Sequence, residues 1–209
     1  MTKAVNRRQK KMALKSIYEN LADLLDYPDG DWQSRCDECQ DSLNAAGESS
    51  GRQFCLFAGE TGRLSLSDLQ ELYTRTFDLS PVCALDIGYH LFGENYKRGV
   101  FLANLRETES PFDLGQQHQL PDYLPVLLRL LTELDDDELR DALIGECMIP
   151  ALAKMLQALV QGGNPYRHLI GAVSELLKSE AGTYQATVQR AHLPVLQAAA
   201  FSETNLDLF

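Results

Sequence analysis

Apolar side chains return every three or four positions through most of this chain, and nowhere do they alternate with polar ones over the length of a strand. A period near 3.6 buries one stripe of a helix, whereas a period of two buries one face of a sheet, so the pattern restricts the chain to packing helix on helix. Leu14, Ile17, Leu21, Leu24 and Leu25 form the first stripe, and Tyr27-Pro28-Asp29-Gly30 ends it by restricting the backbone and supplying a turn. A second, acidic segment runs from Asp31 to about Asn44, and Gly47 to Gly51 reads as a flexible break before Phe54 and Phe57. Ser67 with Gln70 reads as a capping box opening a helix that carries Leu66, Leu69, Leu72, Tyr73 and Phe77.

Ser80-Pro81 is a helix start by type, the serine as cap and the proline in the first turn, for a segment through Leu85, Tyr89 and Leu91 to Gly93. Another helix is expected from Glu94 to Arg106. The aperiodic stretch from Glu109 to His118 reads as the one long loop. Beyond it, Pro121 is expected to open a helix with Leu124, Leu127, Leu128 and Leu131. A second follows Asp135-Asp136-Asp137, whose charges face the positive end of the helix dipole, and it should bend at Pro150. Asn164-Pro165 caps a third, carrying Tyr166, Leu169, Ile170, Val173 and Leu177. The fold class expected is all-α: a single-domain helical bundle over residues 1–200, with a basic arm at 1–12, a mobile loop at about 109–119 and a poorly ordered tail at 201–209.

Charge narrows the partners. The formal net charge is −11, yet the first fifteen residues hold six basic and no acidic side chains, leaving 13 Lys and Arg against 30 Asp and Glu on the rest, a net of −17. Nucleic-acid binding rests on cations that release phosphate counterions, so such a body excludes it as a main activity. The Arg7-Arg8 pair lacks the unbroken apolar segment of an export signal, and no run approaches the roughly 20 apolar residues of a membrane span, so a cytoplasmic protein is expected. Five cysteines at irregular spacing make no disulfide framework. Cys36 and Cys39 form a C-x-x-C, but no second pair completes a zinc site and no strand precedes them as in a thioredoxin-like motif. None of His90, His118, His168 and His192 follows a glutamate by three residues, so the paired E-x-x-H of di-iron bundles is missing, as are the phosphate-loop and G-x-S-x-G signatures. No residue is nominated as catalytic, and no metal or cofactor of its own is expected.

Two segments place polar residues inside apolar helices. One is Tyr89-His90-Leu91-Phe92-Gly93-Glu94-Asn95-Tyr96-Lys97-Arg98-Gly99, preceded by Tyr73-Thr74-Arg75-Thr76-Phe77-Asp78; the other is Leu120-Pro121-Asp122-Tyr123-Leu124-Pro125. In order and spacing, over about residues 65 to 180, they resemble the NarJ family, cytoplasmic chaperones that assemble respiratory nitrate reductase, within the wider TorD/DmsD-like group of molybdoenzyme chaperones. Tyr123 stands where the family motif usually has histidine, and Asn95 where it often has serine. A tyrosine keeps an aromatic body but is no switchable cation near neutral pH. The resemblance implies a non-enzymatic chaperone that binds the N-terminal segment of the catalytic subunit, most simply the nitrate reductase alpha chain, and holds it for molybdenum cofactor insertion before membrane docking. The peptide-binding residues it suggests are Tyr73, Phe77, Tyr89, His90, Glu94, Arg98, Pro121, Asp122 and Tyr123, with the carboxylates of Asp122 and Glu94 offered to a client's arginines.

Each of these residues also fits a structural role. Tyr73 and Phe77 suit a core, Arg98 suits an i, i+4 pair with Glu94, and Pro121-Asp122 suits a helix start. The alternatives at the level of function are a chaperone for a dimethyl sulfoxide or trimethylamine oxide reductase, an unrelated helical adaptor, and a thiol redox protein using Cys36 and Cys39. Whether the chain works as a monomer or exchanges helices to dimerise is left open by the sequence.

Overall fold

The computed structural model describes residues 2–46, 48–79, 83–116 and 118–181. The Ser80-Pro81 start and the 201–209 tail lie outside them, as do the side chains of the basic arm's first eleven residues. The elements are helical: α1 (Thr2–Leu25), α2 (Trp32–Ala46), α3 (Glu48–Thr61), α4 (Leu66–Tyr73), α5 (Ile87–Phe92), α6 (Tyr96–Glu109), α7 (Leu124–Glu133), α8 (Asp137–Ala142), α9 (Ile149–Gln161) and α10 (Tyr166–Ala181). Among the described residues the one β-type pairing is an isolated antiparallel bridge between Asp86 and Tyr123. The all-α bundle read from the periodicity is thus the fold.

The apolar stripes meet as expected. α1 packs on α2 and α7, α10 on α3 and α9, and α2 on α3. Tyr18, Leu21, Leu24 and Leu25 of α1, Phe54 and Phe57 of α3, and Tyr166, Leu169 and Ile170 of α10 are buried at the centre. Arg129 of α7 ties the stripe's edge to α1, its Nη2 lying 2.8 Å from Asp23 and 2.7 Å from Asp26.

Several boundaries differ from the sequence reading, each for a local reason. Ser49 to Gly51 belong to α3 rather than to a break, because an α2–α3 hairpin brings the Asn44 side chain against Gly51, where a Cβ would lie 2.9 Å from its Oδ1. The cap of α4 is Ser65, not Ser67: its hydroxyl accepts from the Asp68 amide at 3.2 Å while the Asp68 carboxylate accepts from the Ser65 amide at 3.2 Å. Both serines have an acceptor three residues on, and the frame starting at Ser65 adds Leu66 to the first turn. Ser65→Ala is therefore expected to cost about 1 kcal/mol, read as a lower urea midpoint, with Ser67→Ala near neutral. α7 starts at Leu124 with Pro125 in its first turn, because the backbone at Asp122–Leu124 is held extended against Leu85–Ile87. That same pairing keeps Leu85 and Asp86 out of α5.

Among the described residues two helical runs contain π turns, Thr74–Asp78 after α4 and Leu143–Met148 between α8 and α9. Residues 143, 147, 151, 155 and 159 are all buried. A strict spacing of four drifts around a 3.6-residue helix, and a wider turn holds the first of these residues in phase. The π turn lies just before Pro150, which has no N–H to give and sits in the first turn of α9. The continuous run Asp137–Gln161 has 25 residues and by length and composition alone could cross a bilayer, against the expectation that no segment would. Its apolar face is spent on the core, through Leu143, Ile144, Met148, Leu152 and Met155.

Candidate functional site

The two motif segments meet at Asp122. Its backbone carbonyl accepts from the Ile87 amide at 2.8 Å, and the Leu124 amide donates to Leu85 at 2.9 Å. Its fully buried carboxylate accepts from the Gly88 amide of α5 at 3.1 Å and from Arg98 Nε of α6 at 3.1 Å, with Arg98 Nη2 3.0 Å away. Arg98 Nη2 also lies 3.4 Å from Asp86. Gly88 permits this approach, since a Cβ there would stand 2.7 Å from Asp122 Oδ2 and 3.0 Å from the Phe101 ring. Asp122 Oδ1 is buried without a hydrogen-bond partner.

Burial first, then the neighbouring Asp86, pushes the Asp122 carboxyl up to about 6 against the opposing pull of Arg98 and the Gly88 amide. The folded state therefore holds this proton more tightly than an unfolded chain, whose ordinary value is 3.8. Its contribution to stability is full below that value and is lost as pH rises towards about 6. Urea midpoints of the native chain and Asp122→Asn across pH 4 to 7 should show the native chain losing stability relative to the variant through that window. A constant difference would contradict the assignment.

Beside the clasp lies a layer of tyrosines. Tyr73 donates to the Leu25 carbonyl at 3.1 Å and its hydroxyl is 3.1 Å from that of Tyr123, which also approaches Asp26 at 3.4 Å. Burial raises both phenols, Tyr73 to about 12 and Tyr123 further, so the residue in the family histidine's place is a neutral hydrogen-bonding ring. The π turn swings Phe77 onto Tyr166, with centroids 4.7 Å apart, and Tyr73 packs edge-on against Phe77 at 5.1 Å and Tyr27 at 5.5 Å.

Of the nine expected binding residues, Tyr73, Phe77, Pro121, Asp122 and Tyr123 are buried. Asp122 is thus not the open carboxylate expected for a client's arginine; the chain's own Arg98 occupies it. Arg98 in turn pairs with Asp86 and Asp122 rather than with Glu94, which is exposed. The outward members are Glu94 and Tyr89, the latter 45% exposed with the Arg98 guanidinium 5.8 Å from its ring centroid. His90 is half-buried, its Nε2 2.8 Å from the Ala84 carbonyl, and burial lowers its pKa. Sequence reasoning missed Asp86 and Gly88; an Asp-x-Gly at the mouth of a helix just before the first motif was the available signal. The outer side of α4 opens as a groove of about 420 Å³ between Tyr27, Gln70, Thr74 and Leu79, with Glu71 and Arg75 on its rim.

Cys36 and Cys39 are buried on α2, and burial drives Cys36 up to about 12 and Cys39 higher, which opposes thiolate chemistry. Among the described residues no group of three His, Cys, Asp or Glu side chains could hold a metal ion.

No family model matches the chain. It is similar to the "Probable nitrate reductase molybdenum cofactor assembly chaperone NarJ" of Bacillus subtilis, 26% identical over 164 residues, or 78% of this chain and 88% of that protein. The protein of the same description called NarW, from Escherichia coli, is 26% identical over 167 residues, 79% of this chain and 70% of its own. A "Nitrate reductase-like protein NarX" of Mycobacterium tuberculosis is 30% identical over 102 residues, which is 48% of this chain but 15% of that protein. NarJ and NarW bear out the NarJ-family resemblance carried by the two motifs. Both are named as assembly chaperones, not catalysts, in line with a non-enzymatic chain.

Proposed function

We propose that this relative of NarJ and NarW is a cytoplasmic, system-specific chaperone that binds the N-terminal region of a nitrate reductase catalytic subunit and holds it for molybdenum cofactor insertion before membrane docking. The observation that carries the reading is the similarity, over more than three quarters of the chain, to two proteins named as probable nitrate reductase molybdenum cofactor assembly chaperones. The geometry supports it by bringing both motif segments to one place. In this reading Tyr89 and Glu94 meet the client, with His90 and Arg98 beside them, while Tyr73, Phe77, Pro121, Asp122 and Tyr123 shape the platform from beneath. An aromatic ring beside carboxylates suits a peptide that is both basic and apolar: the ring supplies affinity, and the acidic body speeds encounter and selects partners.

Deleting the gene should leave the reductase polypeptide present but deficient in molybdenum, measured by metal analysis of the purified enzyme. Normal loading without this chain would defeat the reading. Calorimetric titration with peptides from the N-termini of several molybdoenzyme subunits should show the nitrate reductase peptide binding tightest and weakening with salt. Tighter binding of a dimethyl sulfoxide or trimethylamine oxide reductase peptide would reassign the client.

A further inference from the structure

We propose that Asp122 is a positioning residue: through Arg98 it fixes the exposed Tyr89 ring on the α5–α6 face, and it does not itself meet the client. This rests on the reading above that the α5–α6 face is where the client binds.

A guanidinium donates hydrogen bonds in its own plane and stacks through its face. Arg98 Nε donates in-plane to Asp122 at 3.1 Å, and Nη2 lies within ion-pair distance of Asp122 and Asp86 without a hydrogen bond of its own, which holds the guanidinium 5.8 Å from the Tyr89 ring centroid. The Asp122 carboxylate meanwhile holds the Gly88 amide, one residue before Tyr89. One buried oxygen thus anchors both the backbone that carries the ring and the cation set over it at cation–π distance. Without it, Arg98 would keep only Asp86, whose side chain is 31% exposed and 3.4 Å away. The site is also a poor choice for stability alone. Asp122 Oδ1 has no hydrogen-bond partner, and well-packed apolar residues often match or exceed a buried ion pair. A fully enclosed carboxylate aimed at the support of an exposed ring is accounted for by what it holds in place.

The test is a mutant cycle on the full chain, titrated with a synthetic peptide of the first 30 or so residues of the nitrate reductase catalytic subunit. Helical content and unfolding midpoints are measured for every variant. Asp122→Asn and Arg98→Met are each expected to weaken binding about 10-fold, and together no more than either alone, as residues acting through one contact do. In a Tyr89→Ala background Asp122→Asn should have no further effect; in Tyr89→Phe, which keeps the ring, it should again cost about 10-fold. An undiminished effect of Asp122→Asn in Tyr89→Ala would overturn the proposal, as would an unchanged affinity in Asp122→Asn alone. A readout free of peptide separates this from the functional reading: the Arg98 Nε–H signal in NMR should be protected from solvent exchange in the native chain and lose protection in Asp122→Asn. An unprotected signal in the native chain removes the clasp even if peptide binds. A protected signal with no peptide binding removes the client reading and with it Tyr89's role, while the clasp stands.

Discussion

Gly88→Ala is expected to destabilise the chain by about 3 kcal/mol, lowering the thermal midpoint by roughly 6 to 12 °C for a chain of this size. The added methyl would meet Asp122 Oδ2 at 2.7 Å and the Phe101 ring at 3.0 and 3.3 Å. Both neighbours are fully buried, so neither can swing into solvent to make room. Overpacking of this kind costs about 1 to 3 kcal/mol, and displacing a buried carboxylate from its amide and guanidinium adds to it. Alanine's better helix propensity returns about 1 kcal/mol. Gly99 supplies the control, since it lies in α6 with nothing within 4 Å of an added Cβ. Gly99→Ala should leave stability unchanged or raise it by up to about 1 kcal/mol. If the two substitutions move the urea midpoint in the same direction, close approach at Gly88 is not what decides.

Glu180→Ala is expected to cost a similar amount, about 3 kcal/mol, for a different reason. Near the end of α10 the Glu180 carboxylate accepts from the Tyr18 hydroxyl of α1 and from Arg140 of α8. Tyr18 is 1% exposed, and the Arg140 side chain 17%, so truncation strands a buried hydroxyl and leaves a largely desolvated cation with the Leu131 carbonyl and a more distant Asp141. Tyr18→Phe removes only one neutral donor and should cost about 1 kcal/mol. Equal losses from the two would mean that the charge at Arg140 contributes nothing.

The helices were legible because burial of a stripe is a local property. Leu14 to Leu25, the Tyr27-Pro28 stop and the Asn164 cap, whose side chain accepts from the Tyr166 amide at 3.0 Å, are each decided within a few residues of chain. The candidate site was legible as residue types but not as an arrangement. Arg98 has a sequence neighbour of opposite charge in Glu94, and local spacing alone favours that pair. It turns instead to a carboxylate 24 residues away, because leaving a charge unpaired in the interior costs far more than leaving an exposed one to water. Ser65 and Ser67 were indistinguishable for a similar reason: both satisfy the local rule, and which of them the chain uses as the cap is not written in the spacing.

The widened turn at Leu143–Met148 is a place where chain length can change without moving its surroundings. A π turn is a helix that accommodates one residue more than a regular path between the same end points. Deleting one residue there would restore an ordinary helix between the same end points, so the residues before it would keep their bearing relative to α9. Arg140, with its bonds to Leu131 and Glu180, would then still face its partners. Relatives can therefore differ by one residue along this stretch, whereas losing one from the regular turns of α9 would rotate the helix on one side of the gap by about 100°.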